Sequence, residues 1–276
     1  NADIVIVGSG LAGLCAAVSA AQRGARVLVL ELSQEIGGLT RLSTGLIGFA
    51  DPDRQRPLGI YDSAERHAQQ TLAFGRHRAD KALVHTLCRS ALDCARWLES
   101  LGIQFSPRTV QRARTLFPRG HLPLNGGGSV YTDLLALKAA ALDVKFALQH
   151  ELTSFAKNNS GRGFDLDILD LSTGRTKNLG CKKLILASGG FSPDSQLLSS
   201  QDPRLKNISV IATLPAVSHV HRCAAEQGIL MTGLGFVQKE VFLPNGDVLP
   251  AALRNPSSYI ALDAAGKRFM REDLPY

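Results

Sequence analysis

The chain has 276 residues, 45% of them hydrophobic and 20% charged, with a formal charge of +7, which suits one large globular domain, or a domain and a half, with a full core. No apolar run reaches the roughly 18 residues of a membrane span, and no basic segment precedes the most apolar stretch as in a secretory signal. The five cysteines (Cys15, Cys88, Cys94, Cys181 and Cys223) are odd in number and form no C-x-x-C pair, which argues against a disulfide framework and a zinc site and for a reducing, cytoplasmic setting.

Asn1 and Ala2 are read as a processing or cloning scar and are left outside the fold argument. Ile4 to Val7 is a short Ile/Val run of the kind found in a central parallel strand buried on both faces. It leads into Gly8-Ser9-Gly10-Leu11-Ala12-Gly13, a G-x-G-x-x-G turn. A helical pattern follows from Leu11 to Arg23 and closes at Gly24. A second strand runs from Arg26 to Leu30 and ends at Glu31. The glycines divide the work: Gly8 permits the tight turn, Gly10 lets a pyrophosphate approach the backbone, and Gly13 lets helix and strand pack closely. The helix start offers free N–H groups to phosphate. Glu31 stands where a carboxylate accepts hydrogen bonds from ribose hydroxyls, and it would repel a 2′-phosphate.

Farther on come Ile36-Gly37-Gly38-Leu39-Thr40 and then Ser43-Thr44-Gly45. With this second glycine pair the chain resembles the flavoprotein family of fumarate reductase, flavocytochrome c and 3-ketosteroid dehydrogenase. That family's second phosphate and ribityl loop reads G-G-[NS]-[ST]; Gly37, Gly38 and Thr40 match it, and Leu39 stands where Asn or Ser is usual. The resemblance implies FAD as cofactor, with Leu11, Ala12 and Leu32 beside the first glycine turn and the acid among its contacts.

Asp62 to Phe105 resembles the family's helical insertion and ends in Trp97-Leu98-Glu99-Ser100-Leu101-Gly102-Ile103. Read alone, Leu83, Leu87, Ala91, Cys94 and Leu98 form a helical apolar stripe. Arg108, Arg112, Arg114 and Arg119 make a basic cluster with three readings: a solvated loop, an anionic-ligand patch or a nucleic-acid surface. With Phe117 as its only aromatic, nucleic acid is the weakest of the three. Asn125-Gly126-Gly127-Gly128-Ser129 is either an N-capping loop or the family's glycine-rich lead into a helix beside the flavin.

Val144–Gln149, Leu152–Ala156 and Phe164–Leu171 alternate as strands, with Ser172-Thr173-Gly174-Arg175 as a turn. The resemblance places a backbone contact to adenine at Leu152. Lys183 to Ala187 reads as a buried strand ending in Ser188-Gly189-Gly190-Phe191, similar to the family's A-T-G-G-F, so Ser188 and Gly189 abut the cofactor. Three positions depart from the family or depend on it alone. His219 replaces an Asp that helps hold the flavin. Glu240 stands where a substrate-binding His is common. Glu272, in Lys267-Arg268-Phe269-Met270-Arg271-Glu272, matches a proton-relay Glu. Tyr259 to Met270 otherwise reads as a β-hairpin.

The expected fold is α/β, a glutathione-reductase-like dinucleotide-binding parallel sheet with helices on both faces. Residues 1–238 form the FAD-binding domain, with a helical insertion at about 58–120, and 239–276 begin a truncated substrate-capping domain. The expected function is flavin-mediated hydride transfer to or from a carbon–carbon bond next to a carboxylate or carbonyl, acting on a small anionic substrate, a dicarboxylate or an enone. An electron-donor protein or domain is implied; nucleic acid, a membrane span and metal are not. The chain is expected to be an incomplete, inactive part of that enzyme. The alternative is a flavin-binding scaffold or degenerate homologue without activity.

Overall fold

The computed structural model describes residues 2–110, 117–191, 194–205, 218–234, 260 and 262–268. Two compact units emerge: residues 1–45 with 125–235, and 46–124 with 236–276.

In the first unit the apolar run is β1 (Ala2–Val7), followed by α1 (Leu11–Ala21) and β2 (Val27–Glu31). Ala2, set aside from the sequence, is the first residue of β1 and pairs with Cys181. Beyond α2 (Gly38–Leu42), the unit resumes with α6 (Ser129–Ala141), β6 (Lys145–Leu148), β7 (His150–Lys157), β8 (Phe164–Asp170) and β9 (Arg175–Leu186). It ends with α7 (Ser195–Gln201) and α8 (Ser218–Glu226). The sheet order is β6-β2-β1-β9-β8-β7. Strands β6, β2, β1 and β9 are parallel, and β9, β8 and β7 form an antiparallel meander.

β9 joins the two halves. Its first part pairs with β8, its last part pairs with β1, and Cys181 is bonded into both ladders. The strand expected at Lys183–Ala187 is therefore the end of a twelve-residue strand, with less burial than a central strand shows.

Period-two alternation sorts β1 onto two faces. Val5 and Val7 pack with Leu30, with Leu152 of β7 and with Val220 and Cys223 of α8. Ile6 faces the other way, toward α1 at Gly13. Each such fully buried aliphatic side chain contributes about 1.5–3 kcal/mol. Successive strands run outward from β1 through β2 to β6, then β9 returns to the opposite side. That makes the carboxyl end of β1 the switch point where an open α/β sheet takes its ligand.

In the second unit, β3 (Ile47–Gly48), β5 (Gly120–Pro123) and β4 (Phe105–Val110) form a small antiparallel sheet in the order β3-β5-β4. Helices α3 (Pro52–Gln55), α4 (Ala64–Phe74) and α5 (Lys81–Leu101) accompany it. α5 starts on an Asp80 cap that accepts the Leu83 N–H at 2.9 Å. Its buried stripe is Val84, Cys88, Ala95 and Leu98, whereas Leu83, Leu87 and Cys94 are exposed. The stripe is rotated by about one residue from the sequence reading because α4 supplies Ala68 and Leu72 against Val84 and Cys88. Residues 262–268 form a tight turn closed by a Leu262–Arg268 bridge. The rest of the expected hairpin, with Arg112, Arg114, Glu240 and Glu272, lies outside the described residues.

Candidate cofactor site

Gly8 has φ +101°, open to glycine at little cost, and a Cβ there would lie 2.4 Å from the Ala187 carbonyl oxygen. Its turn is thus seated directly on the Ala187-Ser188 segment that ends β9. Gly13 is held as tightly: a Cβ would fall 1.9 Å from the Gly8 oxygen and 3.5 Å from Ile6 Cγ2. Gly10 differs. Its backbone is extended, which any residue adopts, and its nearest neighbour would be Thr40 Oγ1 at 3.7 Å, an ordinary contact. The protein's own packing does not require glycine at position 10. The space over it opens into a cavity at the start of α1.

That cavity holds about 210 Å³. It gathers Gly8, Gly10, Leu11 and Ala12 from the first turn, Glu31 and Leu32 from the end of β2, and Gly38, Leu39 and Thr40 from α2. Leu152 of β7 and Ser188 and Gly189 after β9 complete the predicted set. Of the cofactor residues named from sequence, only Gly13 and Gly37 stand behind the lining. Gly37 is buried against Arg41 and Thr132. Leu152 is 1% exposed, its side chain in the core.

Glu31 is buried, and its carboxylate is largely engaged by the protein itself. Oε2 accepts the Ser9 N–H at 2.9 Å and the Ser9 hydroxyl at 2.5 Å, and Oε1 accepts the Ser33 N–H at 2.9 Å. A carboxylate offers about four acceptor positions, so Oε1 keeps one for a hydroxyl from outside. Thr40 is engaged too, its Oγ1 accepting the Leu11 N–H at 3.1 Å. The positive end of α1 remains presented to the cavity through Ala12.

Four further polar lining residues escaped the predicted set: Ser9, Ser33, His150 and Glu151. Ser9 was legible as the second residue of the G-x-G-x-x-G turn. His150 and Glu151 carried no local signal, since only the pairing of β2 with β6 brings the β6–β7 corner to Glu31. His219 also lines the cavity, and its Nε2 donates to the Thr153 carbonyl at 3.0 Å, which fixes the tautomer. Thr153 sits at an irregularity in the β7–β8 ladder, and the same carbonyl accepts the Cys223 thiol.

The glycine-rich segment 125–129 is explained by packing. α6 is preceded by Gly128, which offers no side-chain cap. A Cβ on Gly128 would lie 1.7 Å from the Thr40 oxygen, and one on Gly127 would lie 2.6 Å from the Ser43 oxygen. These glycines let the α6 start press against the end of α2.

In the second unit the basic cluster is not wholly a solvated loop. Arg119 is buried and grips Asp62 with two bonds, of 2.7 and 2.8 Å, while the guanidinium groups of Arg66 and Arg119 both lie over the Phe117 ring, 4.8 and 5.6 Å from its centroid. Burial opposes ionisation of Asp62, but Arg119, the Ser63 backbone N–H and Gln55 together outweigh it and lower the carboxyl below its usual range. Asp51 is likewise buried, paired with Arg54 and Arg96, and Glu99 meets both arginines. His121 is fully buried and stacks on Phe49 with ring centroids 3.8 Å apart.

A strand–turn–helix whose glycine turn meets a second glycine loop and an acid at the switch point defines a dinucleotide-binding α/β protein. The family model described as FAD binding domain matches residues 3–276, and the chain belongs to that family. Its cofactor is FAD, as the glycine motifs implied. Over 99% of its length the chain is 27% identical to urocanate reductase of Eggerthella lenta, covering 46% of that protein. Over 98% it is 26% identical to fumarate reductase (cytochrome) of Shewanella frigidimarina, covering 48%. The chain thus spans about half the length of these curated relatives.

Among solved structures, the open conformation of a flavocytochrome c3 fumarate reductase matches with a TM-score of 0.83 at 24% identity, over 98% of this chain and 48% of that one. A 3-ketosteroid-Δ4-(5α)-dehydrogenase from Rhodococcus jostii matches with 0.70 at 24% identity, over 82% and 54%. These likenesses show the fold. Among the described residues no helix is long and apolar enough to cross a membrane.

Proposed function

We propose that this chain is the FAD-holding part of a flavin reductase that acts on a carbon–carbon double bond conjugated with a carboxylate or carbonyl. The observation that carries this reading is the cavity at the α1 start, floored by a Gly10 that internal packing does not require. The chain around it is similar along its length to urocanate and fumarate reductases. When bound, FAD supplies the hydride chemistry.

The residues have separable tasks. Gly8, Gly10, Leu11 and Ala12, backed by Gly13, would hold the pyrophosphate at the helix start. Glu31 Oε1 would accept a ribose hydroxyl beside Leu32, and the Leu152 backbone would meet the adenine. Gly37, Gly38, Leu39 and Thr40 would carry the second phosphate and ribityl chain, with Ser188 and Gly189 along the opposite wall. Glu272 is assigned a proton-relay role on the resemblance alone.

The substrate class is a small organic anion, a dicarboxylate or an enone, and reducing equivalents would come from a donor protein or domain. Burial raises the thiol pKa of Cys88, Cys181 and Cys223. These are inert buried thiols, in keeping with a reducing compartment such as the cytoplasm.

The test is anaerobic oxidation of a reduced low-potential dye by the full-length reading frame loaded with FAD. Fumarate, urocanate and a ketosteroid are offered in turn. Turnover of at least about 1 per second with one of them is expected. A flavin-loaded protein that oxidises the dye with none of the three would sink the proposal.

A further inference from the structure

The two glycine loops of the cavity lie far apart in sequence, and loop segments open locally unless something ties them down. Two hydroxyls tie these. Ser9 is wholly buried; its Oγ donates to Glu31 Oε2 at 2.5 Å and accepts the Gly37 N–H at 3.0 Å. Thr40 accepts the Leu11 N–H at 3.1 Å. The two bonds between the loops run in opposite directions, each loop's hydroxyl serving a backbone N–H of the other. Between them the backbones run close together, so that a Cβ on Gly38 would lie 3.7 Å from Gly10 Cα. Gly37 is buried, so its N–H needs a partner, and Ser9 is the side chain that supplies it.

We infer that Ser9 and Thr40 are positioning residues, a reciprocal hydroxyl latch that sets the FAD site before the cofactor arrives and couples Glu31 to the second glycine loop. The inference rests on this cavity being the FAD site. Without the latch the second loop leaves its place for part of the time. The apparent Kd then rises in inverse proportion to the competent fraction, and association slows because fewer molecules are ready to bind.

The test uses the full chain stripped of flavin, titrated with FAD and followed by stopped-flow flavin fluorescence. Ser9→Ala removes both hydroxyl bonds and keeps the backbone bond to Glu31. Thr40→Val removes a hydroxyl at nearly constant shape, and Thr40→Ser restores it. Ser9→Ala and Thr40→Val should each weaken FAD binding by about tenfold, the loss of roughly one hydrogen bond, chiefly through slower association. Thr40→Ser should remain close to the parent. The double variant should lose less than the product of the two single effects, because either change releases the same latch.

Parental affinity and association rate in both single variants would overturn the inference, as would a loss confined to dissociation. If Ser9→Ala does not fold, the Thr40 pair decides: equal behaviour of Thr40→Val and Thr40→Ser overturns it. Failure of the parent chain to bind FAD would overturn the cavity assignment instead.

Discussion

At residue 10 and residue 13 the same glycine serves opposite ends. Gly13 is required by the protein, since a Cβ there would fall 1.9 Å from the Gly8 carbonyl oxygen. Gly10 is required by what the cavity receives. Gly13→Ala should therefore destabilise the apoprotein by about 2 kcal/mol or more, overpacking outweighing a helix-propensity gain of about 1 kcal/mol. Gly10→Ala should leave apoprotein stability nearly unchanged and weaken FAD binding by at least about tenfold. Urea denaturation of the flavin-free proteins and calorimetric titration with FAD separate the two; interchangeable behaviour would refute the distinction. Glu31 invites a finer change than truncation, because its carboxylate also holds Ser9 and Ser33. Glu31→Gln keeps the shape and should still reduce FAD affinity, by roughly one charge-assisted hydrogen bond of about 1.5–3 kcal/mol. Equal affinity by calorimetry would remove Glu31 from the ribose.

Among the elements, α7 and α8 illustrate how a polar side chain can join two helices. Asp194 is 5% exposed, caps α7 through the N–H groups of Gln196 and Leu197, and receives Arg222 of α8 at 2.6 and 3.0 Å. Asp194→Asn can keep the cap and loses the ion pair, while Asp194→Ala loses both. The expected costs are about 1 and about 2 kcal/mol, discounted because Arg222 is half-exposed. A urea midpoint for Asp194→Asn equal to the parent's would show that the pair contributes nothing, and equal midpoints for the two variants that the cap contributes nothing. α5 shows where element-level reading from sequence goes astray. A helix here was legible from its apolar spacing, whereas its Asp80 cap and its end at Gly102 came from the structure. Which flank is buried was decided by α4, and Leu83 and Leu87 were placed on the wrong one.

Across the molecule, pH dependence should follow from buried histidines. Burial lowers the pKa of His121 and of His67 below the ordinary 6.5. A base whose folded pKa is depressed binds its proton more readily when unfolded. Stability is then complete above the unfolded value and is lost as pH falls through it toward the folded value. Tm should therefore decline between about pH 7.5 and about pH 5.5, well above the range where Asp62 loses its charge. His121→Phe, which can still stack on Phe49, should flatten the decline. An unchanged slope would mean that His121 is not the group responsible. FAD should raise Tm at every pH in that range, by the equivalent of about 2.7 kcal/mol at a hundredfold excess over Kd.

The sequence alone determined the local pieces: an Ile/Val strand, the G-x-G-x-x-G turn, the helix that follows and the acid ending the next strand. Each depends on neighbours within a few residues or on backbone needs particular to glycine, and such requirements are written locally. With the second glycine pair and the Ser188-Gly189-Gly190 segment they were enough to point to the family and to FAD. Only the tertiary structure decided that Gly8 rests on Ala187, that β9 belongs to both the parallel sheet and the meander, and that His150 reaches the cavity. It also decided that Arg119 is buried against Asp62, that the glycines at 127 and 128 serve close packing, and that Ser9 and Thr40 cross-link two loops. Apart from the β8–β9 pairing, these contacts join residues from 28 to 179 positions apart. Hydrophobic period and turn chemistry report how a segment meets its own neighbours, whereas the partner that a buried polar group finds across the fold leaves no periodic trace in the chain.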